Sequence, residues 1–145
     1  MTSSYLLLGK QAQGTTAQEV LQNAGLDFNV SKHPSGYMNH EGQFIGNPGH
    51  FVTVRDDTGM PLGQVGKTYH VMQNIDSIQI CDPLVGEGLV EYDRIANIDN
   101  GRKFMASMRM PEGFSIAGWD DIEQYIYLIN SHDGSSGIRV IPANF

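Results

Sequence analysis

The sequence predicts an α+β domain, a mostly antiparallel sheet of hairpins with about two short helices packed on one face. Three observations predict it. β-Forming runs are separated by turn residues, as where residues 51–55 precede the Asp-Asp-Thr-Gly turn at 56–59. Only two segments carry apolar residues at helical spacing. The composition, 40% hydrophobic with 17 Gly and 6 Pro, suits a folded domain with many turns, and we expect residues 1–145 to form one domain.

The first helix is bounded by end signals. Thr15 or Thr16 can cap its start, with Glu19 placed three residues after Thr16 as in a capping box. Gly25 ends it. One apolar face of this helix is expected to pack on the sheet, and its members are Val20, Leu21 and Ala24.

The next segment is rich in glycine and proline. After a short extended piece at 27–32, residues 33–49 hold four Gly and two Pro, which predicts a long surface loop with at most a short hairpin. Residues 51–55 and 62–65 then predict a hairpin, and residues 69–71 extend further.

The second helix is predicted to start at Asn74 as its N-cap and to stop at Pro83, which leaves Leu84 and Val85 in the exit. Its apolar face is Ile75, Ile78 and Cys81. Cys81 on this face is a small core residue rather than a nucleophile.

The clearest local signal is a hairpin. Residues 89–98 and 103–110 flank Asn100-Gly101, which favours a two-residue type I′ loop. In that register Ile98 faces Lys103, and uninterrupted alternation defines two faces. The expected core face carries Ile95, Phe104, Ala106, Met108 and Met110.

The opposite face of this hairpin is a basic stripe with an aromatic residue in it. Cations suit phosphates and aromatic rings suit bases, so the stripe is our candidate for binding single-stranded nucleic acid, as in annealing or recombination. The other interpretation is an ordinary solvated face, because the chain has a net charge of −7. The candidate residues of this face are Tyr92, Arg94, Lys103 and Arg109, and Arg102 at the hairpin tip and Arg139 are expected to assist.

Two other functions remain open. The acidic composition (pI ≈ 5.0) suits a module that binds a basic protein, for instance an inhibitor of a host defence protein. A hydrolase-like enzyme would use the Ser131–Ser136 loop with a histidine such as His70, although adjacent Ser, His and Asp are better explained by turn chemistry. No residue is assigned as catalytic, and no metal or cofactor is expected, although His33, His40 and Glu41 share one segment.

The location expected from the sequence is the cytoplasm. A single cysteine suits a reducing compartment, and the apolar run at 5–8 is too short for a membrane span or a secretory signal. Self-association is expected if the strand at 138–141 leaves an open sheet edge.

Several segments together resemble a known family. They are Ala24 to Val30, the Arg55-Asp56-Asp57-Thr58-Gly59 turn, Leu62 to Gly66 with Tyr69, and Asn130-Ser131-His132-Asp133-Gly134. The set resembles domain of unknown function 932, the phage/plasmid-like protein family. The resemblance implies a mobile-element setting in the host cell of a phage or plasmid. It also implies an N-terminal portion of a longer family domain, because the family's Cys-Asn segment is not reached.

Overall fold

A computed structural model describes residues 9–110, 124–135 and 139–144, with the backbone alone for 139 and 141–144. These residues form three short helices and eight strands in two antiparallel sheets, so the predicted α+β class is confirmed. In chain order the elements are β1 (Lys10–Gln11), α1 (Ala17–Ala24), β2 (Val30–Met38), β3 (Phe44–Arg55), β4 (Pro61–Gly66), α2 (Asn74–Gln79), α3 (Asp82–Gly86), β5 (Glu91–Ile98), β6 (Lys103–Arg109), β7 (Gln124–Ser131) and β8 (Arg139–Asn144).

The larger sheet has the strand order β1-β5-β6-β7-β8, and the smaller has the order β2-β3-β4. Helices α1 and α2 pack against each other and cover one face of the larger sheet, against β5 and β7. This is the single helical face that the sequence predicts. The main core lies between these layers and includes Val20, Leu21, Ile78, Ile95, Phe104 and Met108.

Helix α1 has the predicted ends. The Thr16 hydroxyl oxygen accepts a hydrogen bond from the Glu19 backbone N–H at 3.2 Å, and Gly25 closes the helix in the left-handed conformation, with φ at 72°. A second cap comes from elsewhere in the chain, because the Ala17 N–H donates to the Asp82 carboxylate at 2.7 Å. The start of α3 is thereby joined to the start of α1.

The prediction of a long surface loop at 33–49 is wrong. Strands β2 and β3 continue through it as one hairpin, which turns at residues 39–43. The Asn39 side chain shapes the turn by accepting from the N–H groups of Glu41 and Gln43. Gly36 allows the ladder to continue, because a β-carbon there would overlap the Ile45 carbonyl. We call residues 35–49, which extend beyond the ladder with β4, the arm.

Two details of the second helical region differ from prediction. Gln73, not Asn74, is the N-cap residue of α2, and Asn74 is buried inside the first turn. Pro83 does not mark the end of helical structure but lies in the first turn of α3, where its fixed φ and missing N–H are tolerated. Leu84 and Val85 therefore belong to a helix. Residues 69–71 form no strand.

The β5–β6 hairpin follows the predicted register from Ile98–Lys103 as far as Arg94–Ser107. The Arg102 N–H donates to the Asp99 carbonyl at 3.1 Å around Asn100 and Gly101, whose φ values of 57° and 89° suit the predicted type I′ loop, and Asp99 before them also has a positive φ. Beyond Arg94 a bulge inserts one residue into β5, so that Tyr92 faces Met108 and not Arg109. The predicted core face is confirmed for Ile95, Phe104, Ala106 and Met108, which are buried.

The smaller sheet is attached to the end of β7. The Thr53 hydroxyl donates to the His132 carbonyl at 2.6 Å, and the Tyr69 hydroxyl donates to the Ser131 carbonyl at 3.0 Å. Gly63 lies so close to Asp133 that a β-carbon would overlap its backbone. These contacts place the segment after β7 directly against β3 and β4.

The His132 imidazole lies inside the same junction, with no surface exposed. The Asn74 side-chain N–H donates to the Leu26 carbonyl at 3.0 Å, so its oxygen accepts from His132 Nε2 at 2.6 Å and from the Asn130 amide at 3.4 Å. The proton therefore sits on Nε2, and Nδ1 has no hydrogen-bond partner in the described part of the chain. The Phe28 ring meets the imidazole edge-on at 6.4 Å.

Replacing Asn74 with alanine should destabilise the protein strongly. The change leaves His132 Nε2, the Leu26 carbonyl and the Asn130 amide without their shared partner in a buried site, which costs on the order of 3 kcal/mol. Urea unfolding measures this loss, with Asn97→Ala, at an exposed position near the end of β5, as the matched control. Equal unfolding midpoints for the two variants would show that the buried amide does not hold the junction.

The stability of the protein should fall as the pH drops from 6.5 to 4. Burial lowers the pKa of His132 to about 4, against a smaller opposing effect of Asp133. The imidazole is neutral in both states above pH 6.5, and below that pH the unfolded chain binds the proton first. The free energy of unfolding falls by on the order of 3 kcal/mol, and the fall is complete below pH 4.

The test is urea unfolding at several pH values between 7 and 4.5 for the protein and for His132→Gln. The variant is less stable throughout, but its stability should depend less on pH in this window. The pKa values of Asp57 and Asp133 are lowered, so these carboxylates act below pH 4 and do not obscure the comparison. Identical pH slopes would contradict the assignment.

Candidate functional site

The predicted nucleic-acid face does not form a continuous exposed stripe. Its centre is buried, with Met105 and Ser107 almost without exposed surface. Met105 belongs to a second apolar cluster on this side of the larger sheet, with Ala96, Tyr125, Tyr127 and Ile129. The cations that remain on this side lie at its margins.

Tyr92 lies on the opposite side from the one predicted. The bulge between Tyr92 and Arg94 reverses the alternation, so the Tyr92 ring packs against the main core. Its hydroxyl donates to the Asp82 carboxylate at 2.6 Å. Burial first, and then the Asp82 carboxylate, raise the pKa of Tyr92. This phenol is a structural link between β5 and α3, and it is not available for base stacking.

The arginines of the predicted face are engaged within the protein. Arg109 forms an ion pair with Glu91 directly across the strands, and this hydrogen bond raises the pKa of Arg109. Arg94 Nη2 donates to the Gly9 carbonyl at 2.8 Å. A phosphate would have to compete with these partners for the guanidinium groups.

Arg102 and Arg139 belong to other surroundings. Arg102, at the hairpin tip, donates to the Leu62 carbonyl at 3.0 Å and pairs with Asp99. It therefore braces β4 against the hairpin. Arg139 starts β8, and its side chain lies outside the described residues.

Lys103 is half-buried beside the loop that follows β7. Burial of Asp133 raises its pKa, but hydrogen bonds donated by Ser131 and Ser135 and the charge of Lys103 outweigh burial and lower it. Lys103 is thus part of the electrostatic environment of that loop. Together with Arg94 and Arg109 it lies on the predicted side of the sheet, but the three are separated by buried residues.

The Ser131–Ser136 loop does not bring a serine to a histidine. The Ser131 hydroxyl donates to the Asp133 carboxylate at 2.7 Å, whereas His132 points into the core towards Asn74. Ser136 lies outside the described residues. His70 is exposed and has no contact with this loop among the described interactions. The geometry is that of a turn stabilised by its own side chains.

A different Ser, His and Asp group lies on the outer face of the smaller sheet. The Ser31 hydroxyl donates to Asp56 at 2.5 Å and meets His33 Nε2 at 2.8 Å. The serine lies between the two other groups, so the histidine is not positioned by the acid as a catalytic triad requires. Within the described ranges, no three His, Cys, Asp or Glu side chains converge as metal ligands would.

The remaining family-motif residues hold the smaller sheet in place. The Arg55 guanidinium lies 4.0 Å above the Phe28 ring, forms two hydrogen bonds with Asp57 and donates to the Asn100 carbonyl at 3.1 Å. Gly59 closes the β3–β4 turn with φ at 75°. These contacts brace the smaller sheet against the tip of the β5–β6 hairpin.

The arm is the part of the described surface that exposes large apolar side chains together. Tyr37 and Met38 are each 62% exposed, and they face Ile45 (38%) and Phe44 (53%) across the hairpin. Since paired residues share a face, Tyr37 with Ile45 lies on one side of the tip and Met38 with Phe44 on the other. The sequence carried a signal that we missed, two apolar dipeptides flanking a polar turn.

A cavity of about 560 Å³, widely open to solvent, lies where the arm meets the smaller sheet. It forms because the β2–β3 register shifts, so that Ser35 is opposite four residues, 47–50. Its side-chain walls come from Ser35, Tyr37, Asn47, Pro48, His50 and Gln64. No Lys, Arg, Asp or Glu is among the described residues that line it.

Among the described residues, no helix has the length and apolar character needed to cross a bilayer. Comparison with curated proteins and with solved structures finds no match. Residues 61–145 match the family described as "Domain of unknown function (DUF932)", and this region contains β4, all of the larger sheet except β1, and the Asn130–Gly134 motif. Because the match covers more than half of the sequence, the chain belongs to the DUF932 family.

Proposed function

We propose that this chain is a protein-binding module whose arm docks into an apolar cleft of a partner protein. The observation that carries the proposal is the exposure of Tyr37, Met38, Phe44 and Ile45 together at one tip. Both faces of the tip are apolar, so a partner gains most by enclosing the tip rather than by lying flat against it. Burial of such surface contributes roughly 25 cal/mol per Å².

The arm is also a structure that a partner would complete. A two-stranded ribbon is only marginally stable alone, because neither of its faces is covered. Residues 36–38 and 40–50 are all exposed, so within the described part of the chain nothing covers this ribbon. A cleft that received the tip would cover both faces at once and would order the hairpin.

Docking by strand addition is disfavoured at the base of β2. The Gln73 side-chain amide both accepts from the Val30 N–H and donates to the Val30 carbonyl at 2.8 Å, as a neighbouring strand would. Pro34, four residues further along the same edge, has no N–H to offer. The surface proposed for contact is the two apolar faces of the tip.

Charge defines the partner further. Residues 33–54 contain no Lys or Arg, and the whole chain has a net charge of −7. Clustered cations, which phosphate binding needs, are not found on this arm. A cleft rimmed by Lys and Arg suits it best, because long-range attraction then speeds the encounter.

This proposal corresponds to the acidic protein-binding function considered from the sequence. A host or phage protein with a basic rim is the expected class of partner, and an inhibitor of a host defence protein would be one case. The setting proposed is the cytoplasm of a cell that carries a phage or plasmid, in keeping with the sequence resemblance.

Replacing Tyr37 and Phe44 together with serine should abolish partner binding. We expect a partner captured from nuclease-treated lysate by the intact chain and by Ile80→Ser, but not by the double variant. Ile80 is a fair control because its side chain is as exposed but lies beyond α2. With the captured protein purified, loss of two aromatic anchors should weaken binding by roughly 30-fold or more.

Two outcomes would overturn this proposal. Dimerisation in analytical ultracentrifugation that the double variant abolishes would identify a second copy of the chain as the occupant. Salt-sensitive binding of a labelled single-stranded oligonucleotide, lost in Arg94→Glu with Arg109→Glu and kept in the arm variant, would instead support the nucleic-acid face.

A further inference from the structure

The cavity at the base of the arm arises from an unequal pairing. Pro34 faces Phe51 and Gly36 faces Gly46, so one residue of β2 spans the same length as four residues of β3. The extra chain leaves the ladder, with Gly49 in the left-handed conformation at φ 79°. The resulting space of about 560 Å³ falls within the ~300–1,000 Å³ of sites that bind organic groups.

The lining combines rings with amides. The Tyr37 and His50 rings and the Pro48 ring supply flat or apolar surface, and Asn47 and Gln64 supply amide groups. Gln64 Nε2 donates to the Ser35 hydroxyl at 3.2 Å, which leaves the Gln64 carbonyl oxygen as an acceptor. Tyr, Ser, Asn and Gly are the residue types that binding loops use to contact proteins.

We infer that this cavity receives one aromatic side chain with a polar group, tryptophan or tyrosine, from the partner protein. The inference rests on the proposed function and names the anchor by which the partner is held. The ring packs against Tyr37 and Pro48, and its N–H or O–H donates to the Asn47 or Gln64 carbonyl oxygen. Such half-polar aromatic residues are enriched among the anchors of protein interfaces, because they combine apolar contact with one hydrogen bond.

Charged groups fit this cavity poorly. Its described lining has no cation for a phosphate or carboxylate and no carboxylate for a Lys or Arg side chain. A nucleobase shares the planar ring and the polar edge. The backbone of a nucleic acid would find no Lys or Arg anywhere in residues 33–54, which favours the amino-acid side chain.

The probes are N-acetyl-tryptophanamide and N-acetyl-tyrosinamide. Their binding is measured by titrating each into the full chain and recording NMR spectra. We expect saturable shifts at the amides of Gly36, Gly46 and Gln64. The N-acetyl amides of lysine and glutamate should give at least tenfold weaker binding. Adenosine and thymidine test the nucleobase, and tighter binding of either would overturn the inference in favour of a nucleic-acid base.

Gly46→Leu fills the cavity without straining the backbone, because Gly46 does not have a positive φ and its open side meets only the Phe44 ring at 3.9 Å. The variant should lose the aromatic shifts. Gly86→Leu, at an open position in α3, is the matched control and should keep them. Equal shifts in both variants, or no shifts with the intact chain, would overturn the inference that the cavity binds an aromatic side chain.

Partner capture by these two variants, compared with capture by the Tyr37 and Phe44 serine variant, separates this inference from the proposed function. If Gly46→Leu captures the partner as well as Gly86→Leu while the Tyr37 and Phe44 serine variant does not, the arm is the docking surface and the pocket is not its anchor. If the serine variant also captures the partner, the proposed function fails, whatever the NMR shows.

Discussion

The buried imidazole of His132 holds the two sheets and the helices in one arrangement. The Asn74 side chain in α2 hydrogen-bonds to the ring, to the Leu26 carbonyl and to the Asn130 amide. The His132 carbonyl accepts a hydrogen bond from the Thr53 hydroxyl of β3. In a buried site each of these bonds is strong, and a missing partner is costly. The position and orientation of the smaller sheet, and therefore the direction in which the arm projects, follow from this cluster.

Irregular pairing decides what each strand presents. One extra residue before Arg94 moves Tyr92 from the predicted outer face into contact with Asp82. A second irregularity, between Thr53 and Val54 opposite β4, accompanies the burial of Leu62 in the main core. The four-against-one mismatch at Ser35 opens the cavity. Because side chains alternate with a period of two, each irregularity reassigns the residues beyond it.

The body and the arm differ in whether their side chains are paired or packed within the protein. Arg55, Arg102 and Arg109 each bond to an acidic side chain of the same protein. The apolar side chains of the arm, in contrast, remain in water. Free energy can therefore be gained on the arm by contact with another molecule, whereas at the arginines existing bonds must first be broken.

Local order could be predicted from the sequence, because it depends on interactions between near neighbours. The Thr16 cap, the Gly25 stop and the Ile98–Lys103 pairing are of this kind, and so were the motifs that indicated the family. Asn74 was misjudged because its partner His132 is 58 residues away. The side on which Tyr92 lies and the length of the arm were likewise settled by packing between distant segments, since a bulge leaves no reliable pattern in the residues that form it.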